Sequence, residues 1–242
     1  MTAFNPVAII PHYNHSGTVG KVAEKLQQLG LPVLIVDDGS SDEHKAVLEQ
    51  FPQHEQLSIL FCEINGGKGA AVKAGLKHAQ AFGFSHAIQV DADGQHQLED
   101  SLKFLEEAKK SLHALICGAP VYSDGAPKAR LYGRKITNFW MAINTLSLSI
   151  KDGMCGFRLY PIKPTVEIIE QEFIGNRMDF DVELLVHCVW RKMPIVWIDT
   201  PVKYEKGSIS HFRGWADNWQ ISKMHARLFF GMLKRLFTGT MR

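Results

Sequence analysis

Short apolar segments alternate with segments of helical periodicity through the first 120 residues, and this alternation constrains the fold more than any other feature. Strands separated by single helices imply βαβ crossovers, which make parallel sheets. We therefore predict an α/β, Rossmann-like, doubly wound and mainly parallel sheet with helices on both faces. The predicted strands are Val7–Pro11, Val33–Val36, Leu57–Cys62, Ala87–Val90 and Ala114–Cys117. The predicted helices are Val19–Leu29, one capped by Ser41 or Asp42, Ala70–Ala81 and Leu98–Lys110.

The regular alternation ends after Pro120. No internal repeat or linker follows, so one domain over residues 1–242 is expected, with the second half built onto the sheet of the first. The elements predicted there are helices over Arg130–Ser149 and Asp181–Arg191, a loop over Asp152–Arg158, strands at Ile195–Ile198 and Val202–Tyr204, and a long amphipathic helix over Trp215–Phe237.

Polar residues cluster where three predicted strands end. The first strand runs into PHYN (residues 11–14), the second ends in DDGSSD (37–42), and the strand at Ala87 ends in DADGQH (91–96). In a doubly wound sheet, ligands bind beyond the carboxyl ends of the strands. Oxygen ligands from Asp93 and Gln95 could hold Mg²⁺ or Mn²⁺ while substrate phosphates complete the octahedron. A solvated acidic turn is the alternative interpretation, since Asp and Gly favour turns.

A glycine-rich segment, Gly66-Gly67-Lys68-Gly69, precedes the third predicted helix. It matches neither the P-loop nor the G-x-G-x-x-G pattern. Glycines ahead of a helix nevertheless permit close backbone approach, and Lys68 could meet a phosphate at the helix N-terminus.

Together these segments resemble the family 2 glycosyltransferases of the GT-A fold, and especially the dolichol-phosphate mannose synthase and undecaprenyl-phosphate sugar transferase group. The order and spacing of the matching segments agree over about the first 160 residues. Those segments are IIPHYN, VDDGSSD, NGGKGAAVKAG, QVDADGQH and CGFR, and FDVELL and PVKYEKGSISHF match in outline. The resemblance implies a metal-dependent, inverting transfer of a sugar from a nucleotide-diphosphate donor to a lipid-linked or membrane-borne acceptor.

The resemblance also implies roles for individual residues. Pro11, Tyr13 and Asn14 would lie at the nucleoside, Asp38 would bind the base or ribose, and Asp91 would face the ribose or the metal. Asp93 and Gln95, with Asp91, would hold Mg²⁺ or Mn²⁺. The acidic residue usual after the asparagine of P-x-Y-N-E is absent, and His15 stands there instead. Residues 1–120 would form the nucleotide-sugar-binding half, 121–210 the acceptor-side half and 211–242 a basic amphipathic tail.

Charge growing on a leaving nucleotide diphosphate must be neutralised. The candidates for this role are Lys68, Arg130, Arg134 and Arg158, together with His211 and Arg213 if a loop closes over the diphosphate. Each arginine also fits a surface or helix-packing role.

A hydroxyl acceptor needs a general base. Asp179, Asp181 and Glu183 cluster near the start of a predicted helix, where carboxylates stay ionised beside the helix dipole. Asp181 corresponds to the catalytic Asp of the E-D pair in related enzymes, but Phe180 replaces the Glu. Asp181 and Asp179 are the candidate catalytic residues, and helix capping is the alternative. A lipid phosphate acceptor is already nucleophilic, so it would make a base dispensable.

The C-terminal segment is basic although the whole chain has a net charge of only +2. From Lys203 to Arg242 there are eight Lys or Arg residues against two acidic ones. Aromatic and basic residues at helical spacing suit a bilayer interface, whereas packing on the core is the alternative. No apolar run is long enough to span a bilayer, and no secretory signal pattern begins the sequence. The four scattered cysteines indicate free thiols in a reducing compartment. We therefore expect a cytoplasmic protein that is peripheral at the inner face of the membrane.

Three other functions compete with the transferase interpretation. A catalytically silent nucleotide-sugar sensor or scaffold would bind donor without hydrolysing it. A nucleotidyltransferase shares a similar sheet but usually has a glycine-rich loop after strand one, where this chain has PHYNHSG. Nucleic-acid binding through the basic tail would be strongly salt-dependent, and no other part of the sequence supports it.

Overall fold

A seven-stranded sheet forms the centre of the molecule in a computed structural model that describes residues 3–122, 128–202 and 214–239. The strand order is β3-β2-β1-β4-β6-β5-β7. The strands are β1 (Pro6–His12), β2 (Val33–Asp37), β3 (Leu57–Phe61), β4 (His86–Gln89), β5 (Leu115–Tyr122), β6 (Arg158–Pro161) and β7 (Ile195–Val202). The pairs β1–β2, β2–β3, β1–β4 and β5–β7 are parallel, whereas β6 runs antiparallel to both β4 and β5. The predicted mainly parallel α/β sheet is confirmed.

Helices cover both faces of this sheet. They are α1 (Ser16–Gln28), α2 (Asp42–Glu49), α3 (Lys68–Ala81), α4 (Ser101–Lys110), α5 (Lys128–Thr145), α6 (Ile162–Gln171), α7 (Phe180–Trp190) and α8 (Gly214–Phe237). A 3₁₀ turn over Leu98–Asp100 precedes α4. Side chains are described over the same ranges except at 128–130 and 215–216.

The second half of the chain differs from several sequence predictions. The predicted loop Asp152–Arg158 leads directly into β6, a buried four-residue strand that was missed, and α6 was missed as well. The residues predicted as separate strands at Ile195–Ile198 and Val202–Tyr204 belong, as far as Val202, to the continuous strand β7. Helix α5 ends at Thr145 rather than at the predicted Ser149. It ends there because the next residue, Leu146, takes a positive φ of 52°, which an α-helix does not accommodate.

Alternate residues of the strands enter two separate cores. In β1, Val7 and Ile9 face the cluster that contains residues of α3, α6, α7 and α8, whereas Ala8 and Ile10 face the cluster under α1 and α4. Because both faces are buried, β1 and β2 are apolar at nearly every position. The remaining surface of the sheet available for a ligand is therefore its carboxyl edge.

Helix α8 packs on the body through one face only. Met224, Leu228 and Met232, spaced four residues apart, are buried, whereas Trp219 and Phe237 on the same helix are exposed. Both alternatives considered for the tail therefore have a structural counterpart, since one face joins the core and apolar side chains remain outside it. Among the described residues, no helix combines the length and the apolar character that crossing a bilayer requires.

Candidate active site

A cleft of about 1500 Å³ opens at the carboxyl edge of the sheet, where β1, β2 and β4 end. One part, here called the acidic end, contains Asp38, Asp91 and Asp93. The other part, here called the apolar arm, lies between α5 and α8. The apolar arm is lined by Ile136, Trp140, Ile221, Phe229 and Phe230. The structure thus brings polar side chains of three strand ends together, and it adds an apolar extension to them.

The loop after β1 is held by a buried histidine. The Nδ1 atom of His12 lies 2.8 Å from Asp37 Oδ1, and its Nε2 atom accepts the backbone N–H of His15 at 3.1 Å. Burial opposes the charge on Asp37, but hydrogen bonds with His12 and Ser40 outweigh it and lower the pKa of Asp37. These contacts fix the turn that carries Tyr13 into the cleft.

Asn14 has a different place from the one predicted for it. It adopts a positive φ of 52°, donates its N–H to Ser40 Oγ at 2.9 Å and accepts the N–H of Ser41 on its side-chain oxygen at 3.0 Å. It is absent from the described wall of the cleft, whereas Pro11 and Tyr13 line it. Asn14 therefore shapes the turn between two strand ends.

Asp38 organises the glycine-rich segment before α3. Its two carboxylate oxygens accept the N–H groups of Gly66 at 2.9 Å and Gly67 at 2.7 Å. Burial raises the pKa of Asp38, although both hydrogen bonds oppose that effect. Gly67 has a φ of 101°, and a Cβ there would lie 2.7 Å from the carbonyl oxygen of Asn176. The glycines thus permit close approach of the segment that begins α7.

Lys68 sits between two carboxylates at the cleft wall. Its Nζ atom lies 2.7 Å from Asp91 Oδ1 and 3.4 Å from Asp181 Oδ2. Burial alone would lower the pKa of Lys68, but the two carboxylates raise it, so the side chain stays charged. Burial opposes ionisation of Asp91 as well, yet Lys68 and His96 hold its pKa well below the usual range. The acidic end is therefore a site of compensated charge.

Asp93 is less well compensated than Asp91. Its Oδ1 atom accepts the N–H of Gln95 at 3.0 Å, while burial and the neighbouring Asp91 raise its pKa. Crowded carboxylates of this kind favour a divalent cation, and Asp91, Asp93 and Gln95 all line the cleft. The described residues contain no group of three or more His, Cys, Asp or Glu side chains placed to hold a metal.

Arg158 does not lie where a diphosphate contact was expected. It is fully buried and donates to the backbone carbonyl oxygens of Asp181 at 2.5 Å and Gly153 at 2.7 Å. The prediction of a direct donor contact is therefore corrected, because the guanidinium joins β6 to α7 beneath the cleft. The neighbouring sequence Cys155-Gly156 does reach the cleft wall.

The three acids at the start of α7 also have structural partners. Asp181 is buried behind Lys68, and Gln89 Nε2 lies 3.3 Å from its Oδ1 atom. Asp179 accepts at 3.1 Å the N–H of Arg177, which lies before α7, and its side chain makes no capping hydrogen bond to the helix. Glu183 binds the guanidinium of Arg227 on α8 at 2.7 Å. Among the described residues, none of the three acids lines the cleft.

Cationic candidates from the second half reach the cleft in only one described case. Arg134 lines the cleft and donates to both carboxylate oxygens of Asp152 at 2.7 Å. Burial alone would lower the pKa of Arg134, but the negative charge of Asp152 helps to raise it. Arg130 belongs to α5, but its side chain is outside the described part. His211 and Arg213 fall in the segment 203–213, which is also outside it.

Several residues of the cleft were not predicted. Arg177 and His96 line the acidic end, and Trp140 and His225 line the apolar arm. His96 directly follows the DADGQ sequence, and Arg177 lies two residues before Asp179. Their closeness in sequence to acidic residues that were already candidates could have predicted that both lie at the site. Trp140 and His225 gave no such signal, because helix docking from distant parts of the chain brings them together.

The sequence model of the family described as "Glycosyl transferase family 2" matches residues 7–168. This range includes every strand end that forms the acidic end of the cleft. The chain belongs to glycosyl transferase family 2. The resemblance inferred from its strand-end sequences is confirmed.

Curated relatives of this family 2 transferase include enzymes named for polyprenyl phosphates. A dolichyl-phosphate beta-glucosyltransferase of Trichomonas vaginalis is 29% identical over 231 residues, which cover 85% of this chain and 66% of the relative. A polyprenol monophosphomannose synthase of Mycolicibacterium smegmatis is 28% identical over 227 residues, which cover 86% of this chain and 82% of the relative. The family 2 transferase thus spans just under two thirds of the Trichomonas relative's length.

The fold also matches solved structures of a glycosyltransferase. Glucosyl-3-phosphoglycerate synthase from Mycobacterium tuberculosis, in complex with Mn²⁺, UDP and phosphoglyceric acid, superposes with a TM-score of 0.67. The match covers 95% of this chain and 78% of the synthase at 13% sequence identity. At that identity the likeness establishes the GT-A fold of the family 2 transferase.

Proposed function

We propose that the protein transfers a sugar from a nucleotide-diphosphate donor to a polyprenyl phosphate at a membrane surface, with a divalent metal and with inversion at the anomeric carbon. One observation carries this proposal: a single cleft joins the acidic end to the apolar arm. A polar donor and an apolar acceptor can therefore meet in one cavity. The relatives named for dolichyl phosphate and polyprenol support the choice of acceptor.

The size of the cleft supports two ligands rather than one. Pockets for a single small molecule usually hold about 300 to 1000 Å³. The present cleft holds about 1500 Å³, and its lining extends from the strand ends to the helices α5 and α8. We assign residues 1–120 to donor binding, residues 121–210 to the acceptor side, and the tail 211–242 to the acceptor side and the membrane.

At the acidic end, we assign Pro11 and Tyr13 to the nucleoside and Asp38 to the base or ribose. Asp93 and Gln95, with Asp91, would hold Mg²⁺ or Mn²⁺. When bound, such a cation supplies Lewis-acid stabilisation of the charge on the diphosphate. The Mn²⁺ and UDP found together in the mycobacterial synthase agree with this arrangement.

The transfer itself makes one bond and breaks one bond. A phosphate oxygen of the acceptor attacks the anomeric carbon, the bond from that carbon to the diphosphate oxygen breaks, and its electron pair leaves with the nucleoside diphosphate. Lys68 and Arg177, which both line the cleft, place positive charge near the leaving group. A phosphate nucleophile is already anionic, so no general base is required. We therefore assign Asp181 to holding Lys68, which lies 3.4 Å from it, and Asp179 to holding the backbone of Arg177 before α7.

Exposed apolar side chains on α5 and α8 support a peripheral contact with a membrane. Tyr132 and Phe139 on α5, and Trp219 and Phe237 on α8, are all more than 60% exposed. Lys223 extends over the Trp219 ring at 5.7 Å, so positive charge accompanies the aromatic surface. Aromatic and basic residues together suit an anionic bilayer interface. The four free cysteines support the cytoplasmic face, where thiols stay reduced.

A transfer assay tests the proposal. Purified protein is mixed with undecaprenyl phosphate in vesicles, with UDP-, GDP- or dTDP-sugars, and with Mg²⁺, Mn²⁺ or a chelator. We expect a lipid-linked sugar from one nucleotide class, lost with the chelator and absent when undecaprenol, which has no phosphate, replaces the acceptor. Binding of a donor without transfer or hydrolysis under any condition would contradict the proposal and would favour a silent scaffold.

A further inference from the structure

A buried histidine lies in the wall of the apolar arm. His225 of α8 is only 6% exposed, and its ring stacks on that of Trp140 of α5 with the centroids 6.1 Å apart. Both residues line the cleft. Apolar side chains such as Ile221 and Phe229 line the cleft beside them, together with polar ones such as Asn218 and Ser222.

The second nitrogen of this histidine lacks a hydrogen-bond partner. Asn144 of α5 donates from Nδ2 to His225 Nδ1 at 3.4 Å, and the backbone oxygen of Asn144 is held by Trp190 Nε1 at 2.9 Å. Within the described part of the chain, His225 Nε2 is buried and hydrogen-bonds to no protein atom. With the Asn144 amide placed so that its Nδ2 faces Nδ1, Nδ1 accepts and the neutral ring carries its proton on Nε2; the other amide atom, Asn144 Oδ1, is also buried without a partner among the described residues. In this arrangement the wall of the apolar arm contains an N–H donor that has no acceptor among the described residues.

Buried donors of this kind are uncommon in folded proteins, and each one calls for an explanation. Burial lowers the pKa of His225 to about 4, so the ring is neutral at pH 7 and offers one N–H rather than a charge. An oxygen atom of a bound molecule would satisfy that N–H. The remaining question is which molecule supplies it.

We propose that His225 Nε2–H donates a hydrogen bond to a phosphate oxygen of the lipid acceptor and so positions its head group. The inference rests on the proposed function for the identity of the acceptor. A polyprenyl chain contains no oxygen, so the phosphate is the part of such an acceptor that can receive the bond. Because the donor is neutral, it fixes position without reducing the negative charge that makes the phosphate a nucleophile.

Kinetics of a ring-conserving variant test this role. His225→Phe removes the N–H and keeps an aromatic ring against Trp140. We expect the KM for undecaprenyl phosphate to rise about five- to tenfold, as for the loss of one hydrogen bond, while kcat and the KM for the sugar nucleotide stay unchanged. His187→Phe is the matched control, because His187 is also 6% exposed but does not line the described cleft. Its KM values should equal those of the wild type.

The imidazole resonances provide a readout that does not depend on activity. In the full chain labelled with ¹⁵N-histidine, His225 should appear as the Nε2–H tautomer, and farnesyl phosphate should shift its Nε2 resonance. Farnesol and inorganic phosphate, each added alone, separate the lipid chain from the phosphate. A shift with inorganic phosphate alone would place a free anion there and would overturn the acceptor assignment.

The two proposals fail in different ways. If farnesyl phosphate shifts His225 while no sugar nucleotide supports transfer, the binding site stands and the transferase proposal is wrong. If transfer occurs but His225→Phe leaves the acceptor KM unchanged and the resonance does not move, the role of His225 is wrong. If the variant does not fold, the spectra of the wild-type protein decide alone.

Discussion

The acidic end and the apolar arm of the same cleft are built in opposite ways. At the acidic end, the charged side chains come from loops after consecutive strands, and partners such as Lys68 at 2.7 Å from Asp91 compensate their charge. In the apolar arm, the side chains come from α5 and α8, between which 68 residues lie in the sequence. There, large apolar side chains such as Ile136 and Phe230 stay exposed.

The difference separates chemistry from docking. Compensated charges at strand ends are rigidly placed before any ligand arrives, which is what stabilisation of a leaving group requires. The helices of the apolar arm depend on a few ion pairs and on packing, so changes there should act on stability, on acceptor binding and on membrane contact. Four experiments examine this division.

The largest expected effect is on catalysis at the acidic end. Asp93→Asn should reduce transfer by about 10³-fold, because it weakens the site for the cation that stabilises the leaving group. The free energy of unfolding at pH 7 should stay the same or rise, since burial and Asp91 raise the pKa of Asp93 and disfavour its charge in the folded state. Initial rates and urea unfolding measure both quantities. Asp42→Asn, on the exposed start of α2, is the control, and equal loss in both variants would contradict the assignment.

Docking of α8 should show the opposite behaviour. Glu183→Gln weakens the hydrogen bonds to the Arg227 guanidinium, which is 40% exposed, but it also removes a buried carboxylate whose pKa is raised by burial, so it should lower the free energy of unfolding by about 1 kcal/mol. Lys223→Gln, on an exposed part of the same helix, should change it by less than about 0.5 kcal/mol. Urea denaturation checks both. If Glu183→Gln proved as stable as Lys223→Gln, the ion pair would not anchor α8.

The buried histidines near α8 predict a loss of stability in mild acid. Burial lowers the pKa of His187 and of His225 to about 4, whereas an unfolded histidine titrates near 6.5. The unfolded chain therefore binds protons first, and stability present above pH 6.5 is lost as the pH falls towards 4. By pH 5 each histidine should cost about 2 kcal/mol. Unfolding measured from pH 7 to 5 checks this, and His225→Phe should flatten the dependence of stability on pH; an unchanged slope would contradict the burial of His225 as a neutral ring.

The smallest effect expected is on membrane contact. Trp219→Ser and Phe139→Ser should each weaken binding to anionic vesicles about tenfold without lowering the Tm, since both rings are more than 60% exposed. Co-sedimentation with vesicles measures the affinity. Phe82→Ser removes an equally exposed ring at the end of α3 and should have no effect. An equal loss with Phe82→Ser would indicate unspecific adsorption.

The acidic end could be predicted because its signals are local in sequence. Runs such as VDDGSSD and QVDADGQH combine a buried strand with the polar residues that follow it, so strand and site are found together. The structure brings Asp38, Asp91 and Asp93 to one cleft, as expected. Roles for them remain predictions until the variants are measured.

The parts that could not be predicted depend on pairing between distant segments. Strand β6 has only four residues, includes the buried Arg158 and ends in a proline. Its sequence therefore has no alternation of apolar and polar residues from which a strand could be predicted. It becomes a strand because β4 and β5 pair with it on both sides. Arg158 was expected to contact a phosphate, but its partners are the backbone carbonyl oxygens of Asp181 and Gly153. The sequence around an arginine does not indicate such partners, because they come from other segments of the chain.

The insertion of β6 between β4 and β5 has a consequence for biosynthesis. As the chain leaves the ribosome, β5 is made before β6. In the sheet, however, β6 lies between β4 and β5. The edge of β4 must therefore stay unpaired until residues 158–161 emerge, and β5 must wait for the same event. An early emerging fragment of residues 1–120 would present a bare strand edge of the kind that pairs with other chains. We expect synthesis to pass through an aggregation-prone interval that closes only when β6 is translated.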